Sequence, residues 1–167
     1  MERGTKPMSI RGTITAAVLL PLLGGAAVAS DTKTAITKAS TQTARIGALS
    51  VKEEEAMAFR YLQTELMVAA LSCGRQEFRN KYNTFVIRYR PALKRNGRIL
   101  HAIFKRSYGQ RGKRRLDGYV TQLANDISVI SMKQSRFCDV AGRKFDAVLG
   151  ASSQTTESGL LQRAQRQ

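Results

Sequence analysis

Leu116-Asp117-Gly118-Tyr119-Val120-Thr121-Gln122-Leu123-Ala124-Asn125-Asp126-Ile127-Ser128-Val129-Ile130 decides the class of this fold. Its apolar residues Leu116, Tyr119, Val120, Leu123, Ile127 and Ile130 return every three or four positions over two heptads, apart from the adjacent pair at 119 and 120. A helix gathers residues at that spacing onto one side, whereas a strand needs strict alternation. The chain has no alternating stretch of useful length and no repeat with a period of roughly 20–50 residues.

Other segments carry the same period. Ser50-Val51-Lys52-Glu53 fits a capping box, in which serine and glutamate satisfy amides left open at a helix start, and Glu54 and Glu55 favour the positive helix end. Phe59, Leu62, Leu66, Ala69 and Cys73 follow on one side, up to Gly74, which can end the helix. Phe78, Tyr82, Phe85, Tyr89 and Leu93 form a second stripe, which Pro91 should break or kink. Proline is at home in a first helical turn, so Pro91 can open a further helix carrying Leu93, Leu100, Ile103 and Phe104 to near Gly109, with Gly97 as its weak point. Phe137, Cys138, Ala141, Phe145 and Val148 make a last segment that Gly150 ends. All these stripes read as core packing and imply no cofactor. The expected fold is all-α: a small four or five helix bundle over residues 50–149, followed by a disordered polar tail over 150–167.

The first 29 residues have the three parts of a secretory signal. Arg3, Lys6 and Arg11 make a basic start, 14–23 is an apolar run, and Ala27-Val28-Ala29 supplies small residues for a signal peptidase, so cleavage is expected after Ala29. Met8 can serve as the start as well as Met1, since the shorter form keeps all three parts. The apolar run falls short of the about 20 residues that span a bilayer, and Pro21 interrupts it, so no transmembrane segment is expected after cleavage. Residues 30–49, rich in Thr, Ala, Ser and Lys, read as a flexible lead-in or a weak first helix. Export to the periplasm or the exterior would put Cys73 and Cys138 in an oxidising compartment, where two cysteines pair in only one way. That bridge would close a loop of 66 residues and restrict the unfolded chain by roughly 4 kcal/mol. Two separate buried thiols are the alternative.

The pieces Cys73-Gly74, Tyr82-Asn83-Thr84-Phe85-Val86, Leu116-Asp117-Gly118-Tyr119-Val120-Thr121, Leu123-Ala124-Asn125 and Phe137-Cys138 resemble a group of small exported helical bacterial proteins with one cysteine pair and no assigned activity. The resemblance implies export and the cysteine pair, and it brings no catalytic or binding residues. The arginine load of this chain departs from that group.

The charge is the unusual quantity: 28 Lys and Arg against 12 Asp and Glu give +16. Residues 75–115 hold 14 of those cations, ten of them arginine, with Glu77 as the only acid. Arginine's planar fork grips phosphate or carboxylate in two parallel hydrogen bonds, where lysine offers a point charge. The candidate anion-binding or partner-binding residues are Arg88, Arg90, Lys94, Arg95 and Arg98 on a helix, and Arg106, Arg111, Lys113, Arg114 and Arg115 around a glycine-containing turn. The partner they fit is an anionic envelope component, either acidic lipid or polysaccharide, or an acidic protein. A solvated face that only keeps the chain soluble is the plain alternative. Nucleic acid fits less well: Tyr82, Phe85, Tyr89 and Tyr108 lie among the arginines as a stacking surface would need, but their helical spacing is that of a core stripe, and export removes the chain from most nucleic acid. For a cytoplasmic, uncleaved chain that reading would return.

No nucleophile with its base, no metal-ligand cluster and no phosphate loop stands at a recognisable spacing, so no catalytic or metal site is expected. His101, the only histidine, sits among apolar positions, and two paired cysteines leave no common zinc set. Asp117, Asp126, Asp139 and Asp146 read as surface charges balancing arginines. An enzyme built on carboxylates without a motif is the remaining alternative.

Overall fold

The structure, a computed structural model, describes residues 46–167. The expected leader 1–29, its cleavage site, the choice of start and most of the 30–49 lead-in lie outside the described residues. Among the described residues there are six α-helices and one short 3-10 turn: α1 (Val51–Ser72), α2 (Gln76–Arg88), α3 (Arg90–Tyr108), the turn Gly109–Arg111, α4 (Gly112–Lys133), α5 (Phe137–Leu149) and α6 (Glu157–Gln165). The fold is all-α, and Cys73 and Cys138 are joined in a disulfide with their Cα atoms 5.8 Å apart.

Helix α1 is the hub and touches every other helix. Its start is set as the capping pattern demands: the Glu53 carboxylate accepts hydrogen bonds from the Ser50 amide (2.9 Å) and hydroxyl (3.1 Å). Phe59, Leu62, Leu66 and Ala69 are buried, and so are Ala56, Val68 and Ala70 on its other sides, as expected of a helix enclosed by neighbours. Even Glu65 is buried there, where Lys144 Nζ of α5 donates to both carboxylate oxygens at 2.7 Å. Gly74 ends the helix in the left-handed region at φ +67°, a conformation that suits glycine.

Helices α2 and α3 are separate because Tyr89 leaves helical geometry between them and Pro91 occupies the first turn of α3. Phe78 and Phe85 pack on Phe145 and Phe59 with ring centroids 5.4 and 6.4 Å apart. The Tyr89 hydroxyl lies 2.7 Å from the Val148 carbonyl and 3.1 Å from that of Ala151, and Arg88 donates to the Leu149 carbonyl. The α2–α3 junction thereby satisfies the open carbonyls at the end of α5.

Two expectations are corrected. Residues 150–167 do not form a disordered tail: Thr156 caps α6, accepting from the Gly159 amide at 3.3 Å, and Leu160 and Ala164, one turn apart, are buried at 0% and 3% exposure. The disulfide therefore joins the end of α1 to the penultimate helix, not the last. Ordered structure also begins before Ser50, since Ile46 is buried with Leu100, Ile103 and Phe104, and its carbonyl accepts the Ser107 hydroxyl at 2.9 Å.

The α3–α4 corner depends on Gly112. A Cβ placed there would stand 2.8 Å from the Lys105 Cα and the Phe104 carbonyl oxygen, both backbone atoms that cannot swing aside. Gly112→Ala is expected to lower stability by about 2 kcal/mol, read as a fall in thermal midpoint. Gly97→Ala is the control, because its Cβ meets nothing within 4 Å; it should gain about 0.5–1 kcal/mol from helix propensity.

Candidate anion-binding surface

Helix α3 sorts its cations by angle. Its buried residues Ala92, Asn96, Leu100, Ile103 and Phe104 define the inner face. Arg90, Lys94, Arg98, His101 and Lys105 all lie exposed on the outer one, within an arc of roughly 80° at about 100° per residue. Lys105 and His101 extend this stripe beyond the expected residues. The signal was available, since position 105 stands seven residues beyond Arg98.

Arg95 and Arg106 occupy neither face. They flank the core and meet acids from distant elements: Arg95 Nε lies 3.1 Å from the Glu157 carboxylate of α6, and Arg106 grips both Glu53 oxygens at the start of α1. With Arg88 spent on Leu149, three of the ten expected residues are structural clasps between helices. Among the described residues, these three differ from the rest of the set in having a carboxylate or carbonyl to hold.

Glu53 reports this clasp. The Arg106 hydrogen bond, helped by the Ser50 amide, lowers its pKa from 4.5 to about 2. Because the folded value lies below the unfolded one, its contribution to stability is present above pH 4.5 and is lost as pH falls toward 2. An NMR titration of the Glu53 carboxyl should show a midpoint near 2, which moves up toward the ordinary range in Arg106→Gln while the Ser50 hydrogen bonds still hold it below.

The basic turn is different. Arg111, Lys113 and Arg114 are exposed and, among the described residues, have no ion-pair or hydrogen-bond partner, while Arg115 lies over the Tyr108 ring with its guanidinium carbon 5.7 Å from the centroid. The first turn of α4 contains no acid. Lys113, Arg114 and Arg115 thus crowd the positive end of a helix dipole, a placement that helix electrostatics disfavours and an anion would relieve. Beside them runs a groove of about 340 Å³, its walls including Ile46, Phe104, Tyr108 and Tyr119, with Arg114 and Arg115 also lining it.

Phe85 and Tyr89 are buried and Tyr82 and Tyr108 half-buried, so the aromatics interleaved with arginine are largely committed to packing. Asp146 pairs with Lys81 at 2.7 Å and Asp126 accepts from Gln122 at 2.8 Å, while Asp117 and Asp139 are exposed on α4 and α5. Among the described residues no group of three His, Cys, Asp or Glu side chains could hold a metal ion, and no helix is long and apolar enough to cross a membrane. Comparison of the chain with protein-family models, with curated proteins and with solved structures gives no match.

Proposed function

We propose that the chain is exported, loses residues 1–29, and binds an anionic envelope surface through the turn 111–115 and the outer stripe of α3, without catalysing a reaction. The observation that carries this reading is the unbalanced turn. Four cations sit at a helix start whose first turn holds no acid, beside a groove that also presents apolar and aromatic side chains. A phosphate bound there gains the cations and the helix dipole together, and the apolar wall suits the acyl part of a lipid. Acidic lipid is therefore favoured over polysaccharide or an acidic protein. The Cys73–Cys138 bond supports an oxidising compartment.

The test has two parts. Fractionation of the producing cell, with intact mass before and after alkylation without reductant, should give a processed, non-cytosolic chain that takes up no alkyl group. Sedimentation with phosphatidylglycerol vesicles should show binding that disappears at about 0.5 M salt and is absent on phosphatidylcholine. An unprocessed cytosolic chain with two alkylatable thiols would overturn the reading and return the arginines to nucleic acid.

A further inference from the structure

Asn96 is 1% exposed, and neither atom of its carboxamide has a hydrogen-bond partner among the described residues. A buried amide left unpaired is costly, and native chains retain one where something else satisfies it. Asn96 lines a cavity of about 390 Å³, within the size range of small-molecule sites, formed by α3 and the starts of α1 and α6. Lys52, Glu55 and Arg98 also line it and have no ion-pair partner among the described residues, whereas Arg95 and Glu157 hold each other at 3.1 Å. Two helix starts border the space, so its local potential favours a negative group.

We infer that this cavity binds a small zwitterion, an amino acid or short peptide. Lys52 and Arg98 take the carboxylate, Glu55 takes the ammonium, and the Asn96 carboxamide pairs with a polar group of the ligand's interior. The mixed charge of the lining selects this class over a simple dianion, which would face Glu55 unpaired. The folded C-terminal segment is part of the site, because Glu157 closes one side. The inference does not rest on the envelope reading: Arg98 is the one residue the two share, and the turn 111–115 takes no part in the cavity.

The test uses the full oxidised chain, labelled with nitrogen-15 and titrated with an equimolar mixture of natural L-dipeptides while the Asn96 side-chain amide and the backbone amides of Lys52, Glu55 and Arg98 are observed. A saturable shift is expected, and it should vanish when the mixture is amidated at its C-termini. Lys52→Gln and Arg98→Gln should each weaken binding about tenfold. Asn96→Leu should abolish binding yet raise the thermal midpoint by several degrees, because it exchanges an unpaired buried amide for an apolar side chain of the same branched skeleton. No saturable shift at millimolar dipeptide would overturn the inference, the cavity then holding water. An equal response to the amidated mixture or to inorganic phosphate would do the same, as would an Asn96→Leu protein that melts lower and still binds.

Discussion

Replacing Cys73 and Cys138 together by alanine is expected to lower stability by about 4 kcal/mol and the thermal midpoint by on the order of 15 °C. The bond spans 65 positions and connects the end of α1 to the start of α5, so without it the unfolded chain regains the freedom of a loop that includes α2, α3 and α4. Small domains have only about 5–15 kcal/mol in total, and the loss is a large share of that. Both cysteines are half-buried, so alanine opens little cavity and the effect isolates the bond. Thermal melts of the wild type with and without reductant should reproduce the difference between wild type and double variant. Coincident melts for all of them would show that helix packing alone holds the bundle.

The packing was legible because it is local. Phe59, Leu62 and Leu66, or Phe137, Ala141, Phe145 and Val148, are each spaced so that any helix through them must bury one side, and the structure buries them. Helix α6 is not legible in the sequence because its apolar content is Leu160, Leu161 and Ala164 within nine residues, too brief for a periodic signal; docking against α1 and α5 supplies its stability. Pairing was not legible for a different reason. Arg95 finds Glu157 62 positions away and Arg106 finds Glu53 across 53, so nothing within either helix distinguishes them from Arg98 or Lys94. Asn96 did leave a trace, as a polar residue among Ala92, Leu100 and Ile103 on the inner face of α3. A polar group at a core position is a conflict between local pattern and fold, and such conflicts gather where a chain does something besides fold.

Substituting glutamine at Arg111, Lys113, Arg114 and Arg115 is expected to weaken binding to phosphatidylglycerol vesicles by about three orders of magnitude. Each basic residue near an anionic surface contributes about 1 kcal/mol, and four such contributions make about 4 kcal/mol. The same change should leave the thermal midpoint level or slightly higher. Three of the four cations oppose the dipole at the start of α4, each at a cost of about 0.3–1 kcal/mol, and only Arg115 gives something back through Tyr108. Weaker binding with undiminished stability is the signature of charge kept for a partner, because a cation that served folding would lower the midpoint when removed. Arg95→Gln with Arg106→Gln gives the converse. Those two guanidiniums already face Glu157 and Glu53, so vesicle binding should hardly change. If instead the paired arginines mattered as much as the turn, net charge would govern the interaction and the turn would have no special role.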